Sequence, residues 1–111
     1  MRIILSPQRR DDTLEVIKYG QVLTVNGQVF DFSRMAEGDT LPNSAINSGW
    51  FAGDVEKENG ELTLTLLLPN PWNYSPEQAF PVPLENVPDG LVIFPGPLPA
   101  PEVETALEDI A

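Results

Sequence analysis

Two Asn-Gly dipeptides, each set between runs of alternating apolar residues, constrain the fold of this chain more than any other feature of its sequence. They are Asn26-Gly27 and Asn59-Gly60. A two-residue type I′ turn needs a positive φ at both central positions, and Asn followed by Gly meets that need best. The sequence therefore predicts two β-hairpins. The flanking runs are residues 21–25 and 28–32 for the first and residues 52–58 and 61–68 for the second.

Apolar residues recur at every second position in these runs. Successive side chains of a strand point to opposite faces, so this spacing directs one apolar face toward a core. In the first hairpin, Leu23 and Val25 share a face of one strand. Phe30 and Phe32 share a face of the other. The longest series predicts the clearest core strand of the chain and consists of Leu62, Leu64, Leu66 and Leu68.

A third alternating run, residues 13–18, precedes the first hairpin across the turn Tyr19-Gly20. Three strands joined by short turns favour an antiparallel meander. The predicted fold class is mainly β: a small antiparallel meander, barrel or sandwich built from hairpins, with an irregular Pro-rich C-terminal part. A barrel and a sandwich fit about seven short strands equally well.

Proline sets the expected ends of the strands. Because proline has no N–H to donate, we expect Pro7 to end a first strand at residues 3–5, and Pro69 to end the Leu-rich strand. Residues 69–76 are then predicted to form a surface loop. Farther along, an edge strand or polyproline II segment is expected at residues 80–84, and a last strand at residues 91–94.

The length of 111 residues is that of one domain. We predict a single β domain over residues 1–94. Residues 95–111 are rich in proline and carboxylates, and we expect a tail that is flexible or docked on a partner. Its apolar residues have helical spacing, but so short a segment needs a docking surface to hold a helix. They are Val103, Ala106, Leu107 and Ile110.

Charge is spread unevenly along the chain. The net charge is −11, and residues 36–111 contain Lys57 as their only basic residue. An acidic surface repels phosphate, so binding of nucleic acid and of anionic membranes is disfavoured. The same charge suits solubility, a basic partner, or mimicry of a polyanion.

The sequence lacks the usual tools of catalysis. It contains no His and no Cys, which removes disulfides, thiolate ligands and an imidazole base for a serine nucleophile. Three alternating carboxylates, Asp54, Glu56 and Glu58, could hold Ca²⁺, although a solvated strand face is the favoured interpretation. We therefore predict that the protein is not an enzyme and has no catalytic residues, cofactor or metal site.

Four residues are candidate partner contacts. Trp72 and Tyr74 lie in the predicted Pro-rich loop, where they either pack on their own domain or contact another molecule. Arg9 and Arg10 precede two Asp residues, so they form either a self-paired charged loop or a contact patch. Two further aromatic residues, Trp50 and Phe51, are expected in the core or at its rim.

Four stretches carry a resemblance to a known family. They are residues 3–12, 23–33, 50–56 and 62–69, beginning with Ile-Ile-Leu-Ser-Pro-Gln-Arg-Arg-Asp-Asp. Together they resemble a small protein family of bacteriophage and prophage tail-gene clusters. The resemblance implies a minor tail component or a tail or tail-fibre assembly chaperone, and it brings no active-site residues.

The leading hypothesis is a non-enzymatic structural or assembly protein that binds another phage tail or tail-fibre protein. It predicts an exposed apolar surface or a sheet edge ready to pair, and a homodimer is compatible with such an edge. We expect the bacterial cytoplasm during assembly, and then the virion tail if the protein is retained, since no apolar run reaches membrane-spanning length. The alternatives are an acidic inhibitor that binds a basic host protein, and a sugar-binding module that uses Trp72 and Tyr74.

Overall fold

Eight strands form two four-stranded sheets in the computed structural model of the protein, which describes residues 1–99. One sheet has the strand order β1-β7-β6-β5 and the other β4-β3-β2-β8. A 3-10 turn, Asn43–Ala45, and a four-residue helix, α1 (Pro76–Ala79), complete the regular structure of this part of the chain. The strands are β1 Arg2–Arg9, β2 Val16–Tyr19, β3 Val22–Val25, β4 Gln28–Asp31, β5 Thr40–Leu41, β6 Val55–Glu58, β7 Glu61–Asn70 and β8 Gly90–Leu91.

The predicted mainly β fold is confirmed, and so is the meander. Strands β2, β3 and β4 follow one another as antiparallel neighbours. One pairing is parallel and lies outside the hairpin pattern: β1 runs beside β7, from Arg2 opposite Thr63 to Arg9 opposite Asn70. Residues far apart in sequence make this pair, so the spacing of apolar residues within a single strand cannot reveal it. The two sheets share one core rather than closing into one barrel.

Both predicted Asn-Gly turns have the backbone that a type I′ hairpin requires. The φ angles are 46° at Asn26 and 85° at Gly27, and 53° at Asn59 and 76° at Gly60. In the first turn, the Asn26 side chain also accepts the N–H of Glu15 at 2.7 Å, which ties the hairpin to the chain before β2. The turns therefore fix the register of both hairpins.

We expect Gly27→Val to lower the free energy of unfolding by about 1–2 kcal/mol, because a β-branched residue is strained at positive φ. A Cβ added at Gly27 meets nothing within 4 Å, so the loss is expected from the backbone rather than from a clash at that atom. Gly49→Val is the matched control, since it has equally open space without a positive φ. Urea unfolding measures both variants, and equal losses would contradict the argument.

The core combines the apolar faces of both sheets. The predicted Leu series of β7 is buried, as are Leu23 and Val25 of β3. Phe51 is buried, and Trp50 packs against the core, as expected. The centroid of the Phe51 ring lies 5.0 Å from that of Phe30 and 6.0 Å from that of Phe32. Phe30 belongs to β4 of the other sheet, and Phe32 follows that strand.

The prediction that Pro7 and Pro69 end strands was wrong, because β1 and β7 run through them. The N–H groups of a strand alternate between its two sides. Ile3 donates to the Leu84 oxygen, away from β7, and Pro7 lies on that same side. Leu67 donates to the Trp50 oxygen, away from β1, and Pro69 shares its side. Neither missing N–H removes a bond from the β1–β7 ladder, so the loop begins only after Asn70.

The C-terminal predictions meet mixed outcomes. Residues 80–84 form no strand, but Leu84 makes an isolated antiparallel bridge to Ile3. The predicted last strand at 91–94 is mostly wrong: only Leu91 lies in a strand, β8, which pairs with β2 at Gly90 and Leu91, and residues 92–94 form none. Gly96 and Leu98 hydrogen-bond to residues 73–75, and the helical spacing predicted for residues 103–110 lies outside the described residues.

Candidate protein interaction surface

Four exposed apolar side chains and the partly buried Leu84, all near the C-terminal end of the described chain, form a surface here called the apolar face. Its members are Phe80, Val82, Leu84, Leu91 and Ile93. The side chains of Phe80, Val82 and Ile93 are 84%, 76% and 75% exposed, and that of Leu91 is 56% exposed. Contiguous exposed apolar surface on a small protein marks an interaction site more often than scattered apolar residues do.

Two adjoining grooves give the apolar face its shape. The first has a volume of about 360 Å³ and lies between Phe80, Val82 and Phe94. The second has a volume of about 380 Å³ and lies between Val87 and Leu91. Leu84 and Ile93 line both grooves, so the two grooves adjoin, and together they are here called the depression.

Helix α1 presents Phe80 at one wall of the depression. Ser75 caps the helix: its Oγ accepts the N–H of Gln78 at 3.2 Å, and Gln78 Oε1 accepts the N–H of Ser75 at 3.1 Å. Pro76 occupies the first helical position, where its missing N–H costs no bond. The helix ends at Ala79 with Phe80 as its C-cap, and Pro81 after it prevents continuation.

Strand β8 and the two residues after it build the opposite wall. Side chains alternate along this segment, so Val92 enters the core while Leu91 and Ile93 remain outside. The Val92 N–H donates to the Val16 oxygen at 2.8 Å, and the half-exposed Asp89 anchors the turn before β8. Lys18 Nζ donates to Asp89 at 2.7 Å, and this bond, together with the Gly20 N–H, lowers the pKa of Asp89 below its usual 3.8.

We expect Asp89→Asn to destabilise the protein near pH 7 and to lose this effect as the solution is acidified. A carboxyl group whose pKa is lowered by folding contributes stability above its unfolded pKa, and loses it as pH falls through the folded pKa. Urea midpoints for both proteins near neutral pH and below about pH 3 measure this. Glu56→Gln controls for net charge, and a pH-independent difference for Asp89→Asn would exclude the anchoring role.

The rim of the apolar face is acidic. Residues 76–99 contain three carboxylates, Glu77, Glu85 and Asp89, and no Lys or Arg. Glu77 lines the first groove and Glu85 the second. The Glu85 carboxylate lies 3.2 Å from Arg2 Nε, and Asp89 is paired with Lys18. Glu85 and Asp89 are thus paired with basic side chains, and Glu77 supplies the negative charge on the α1 side of the depression.

The structure brings together only two of the four contacts predicted from the sequence. Arg9 and Tyr74 line the same small groove of about 190 Å³, and the Tyr74 side chain is 48% exposed. Arg9 Nη1 donates to Asp11 at 2.7 Å. Trp72 is 65% exposed in the loop after β7.

Arg10 is held by its own neighbours. Its Nε and Nη2 donate to the two oxygens of Asp12 at 2.8 and 2.5 Å, and its guanidinium lies 4.4 Å from the Trp50 ring centroid. The Arg10 bond lowers the pKa of Asp12. Both arginines thus pair with the aspartates that follow them, and Arg10 lines a groove that shares Phe94 and Pro95 with the first apolar groove.

The leading hypothesis predicted an exposed apolar surface or sheet edge, but sequence reasoning did not locate it at these residues. The signal was present, since Phe80, Val82 and Leu84 alternate with prolines, and Leu91 and Ile93 flank a core valine. Such a pattern predicts an apolar face without showing whether the rest of the domain covers it. In the folded protein, Phe80, Val82, Leu91 and Ile93 remain exposed.

The alternating carboxylates of β6 point to solvent. Asp54, Glu56 and Glu58 are all exposed, and Asp54 accepts the N–H of Asn43 at 2.7 Å. Within residues 1–99, no three acidic side chains are grouped closely enough to hold a metal ion. The same part of the chain contains no helix of the length and apolarity needed to cross a membrane.

Comparisons of the chain with protein-family models, curated proteins and solved structures find no match.

Proposed function

We propose that the protein is a non-enzymatic structural or assembly component of bacteriophage or prophage tails, and that it binds another tail component through its apolar face. The observation that carries the binding role is the exposure of Phe80, Val82 and Ile93 around two joined grooves. The assignment to tails is supported by the resemblance of residues 3–12, 23–33, 50–56 and 62–69 to the tail-cluster family.

Burial of these side chains supplies the driving force for binding. Removing a large apolar side chain from water contributes about 1.5–3 kcal/mol, and association and ordering offset part of that gain. A few well-buried anchors commonly dominate a protein interface. Phe80 and Ile93 are therefore expected to be the main anchors.

Co-expression of the tagged protein with the genes that flank its own tests this function. We expect a tail or tail-fibre protein to be retained at low and moderate salt, since apolar burial is not screened by ions, and the pair of changes Phe80→Ser and Ile93→Ser to release it. Val29→Ser, another exposed apolar residue on a distant strand, is the control. Recovery of only a basic host protein, lost as salt rises, would replace this function by that of an acidic inhibitor.

A further inference from the structure

We infer that the segment bound by the apolar face is an apolar segment that carries Lys or Arg, and that it belongs to a different protein. This inference rests on the proposed function, because it describes the binding partner that the function requires. Three features of the face lead to it: the prolines along one wall, the charge of the rim, and the two-part shape of the depression.

Strand addition is disfavoured along the segment that carries Phe80 and Val82. Leu84 exchanges hydrogen bonds with Ile3, donating at 2.8 Å and accepting at 2.9 Å, so its backbone polar groups point toward β1. Pro83 and Pro81 have no N–H to offer to an incoming strand. The partner therefore binds through side chains packed into the grooves rather than by extending the sheet.

The charge of the rim determines the polar chemistry of the partner. Residues 76–99 contribute Glu77, Glu85 and Asp89 without a single basic residue, and the whole chain has a net charge of −11. Arg2 pairs with Glu85 and Lys18 with Asp89, whereas no ion pair within residues 1–99 involves Glu77, which stands at the edge of the first groove. Complementary charge steers association, so Lys or Arg beside the apolar anchors is favoured.

The same charge argues against a second copy of this chain as the occupant. Face-to-face pairing of two copies would bring the Glu77 carboxylates and two net charges of −11 together. Like charges across an interface are costly and suppress the wrong partner. A different protein with basic residues gains the apolar contacts without that repulsion.

The shape of the depression indicates two anchors. Its grooves, of about 360 and 380 Å³, share Leu84 and Ile93 as a common wall. Each volume falls in the lower part of the range typical of ligand clefts. One large apolar side chain of the partner is expected in each groove, with its basic side chains directed to the rim.

Three synthetic peptides of equal length test the inference with the full chain. One combines Leu and Lys in an amphipathic pattern, the second replaces Lys by Glu, and the third replaces Leu by Ser. We expect fluorescence anisotropy to show the Leu/Lys peptide binding about tenfold or more tightly than either of the others. This ranking separates combined apolar and charge recognition from either alone.

Variants locate the binding. The pair Phe80→Ser and Ile93→Ser is expected to weaken Leu/Lys binding about tenfold or more, and Val29→Ser to leave it unchanged. All three side chains are more than half exposed, so the fold tolerates these changes, and thermal unfolding verifies that. Equal loss in the Val29 variant would overturn the location.

Other outcomes also overturn the inference. If the Ser/Lys peptide binds as tightly as the Leu/Lys peptide, net charge alone accounts for the binding. If the Leu/Glu peptide binds as tightly as the Leu/Lys peptide, the partner needs no basic residues. A concentration-dependent dimer that the Phe80 and Ile93 changes disrupt would make a second copy the occupant.

If a tail protein is captured and the variants still retain it, this inference falls while the tail role stands. If the peptide ranking appears without any tail partner, the tail role falls instead.

Discussion

Leu64→Ala is expected to lower the free energy of unfolding by about 2–5 kcal/mol, since it removes apolar contacts and leaves a cavity. Leu64 is completely buried on β7, which lies between β1 and β6, and it pairs with the equally buried Ile3. Neighbouring strands restrain it on both sides, so the site cannot easily collapse. The melting temperature should fall by about 4–8 °C for each kcal/mol lost.

Chemical and thermal unfolding of the purified variant measure this effect. Thr63→Ala is the matched control, because Thr63 belongs to the same strand but points to the opposite, less buried face. We expect its loss to stay below about 1 kcal/mol. Similar losses for the two variants would mean that β7 does not have the burial pattern described here.

Phe51→Ala is expected to cost about 3–5 kcal/mol, the usual range for removing a buried aromatic side chain. Its ring meets Phe30 and Phe32 edge-on, with centroids 5.0 and 6.0 Å away. Phe51 also bridges to Leu66 of β7, whereas Phe30 belongs to β4 of the other sheet. The substitution therefore removes a contact that holds the two sheets together.

A double-mutant cycle between Phe51→Ala and Phe30→Ala isolates that contact. We expect a coupling energy of about 0.5–1.5 kcal/mol, as is typical of aromatic pairs. Val29→Ala replaces Phe30→Ala in the control cycle, since Val29 lies on the exposed face of the same strand. Strict additivity of the Phe51 and Phe30 losses would show that the ring contact does not join the sheets.

Features set by neighbouring residues were predictable from the sequence. Asn26-Gly27 and Asn59-Gly60 specify turns because their positive φ angles depend on local sterics. The alternation from Leu62 to Leu68 specifies a buried face because side chains alternate in any strand. The pairing of Arg10 with Asp12 is also among the sequence-based alternatives, since the two lie only two positions apart.

The prolines show that the local sequence does not determine where every strand ends. Pro7 and Pro69 were expected to break strands, yet both lie within the β1–β7 pair. The effect of proline depends on which side of the strand its nitrogen faces, and that side is defined only when a partner strand is present. Because β1 and β7 are distant in sequence and parallel, no local pattern could supply that information.

The apolar face shows most clearly which features depend on the sequence alone and which depend on the tertiary structure. The sequence by itself determined the hairpins, their core faces, the excess of carboxylates and the alternating Phe80, Val82 and Leu84. Only the tertiary structure decided that Phe80 and Val82 stay outside while Val92 is buried. The reason is geometric: the same apolar alternation serves a core or a binding surface, and the packing of distant segments determines which side remains uncovered.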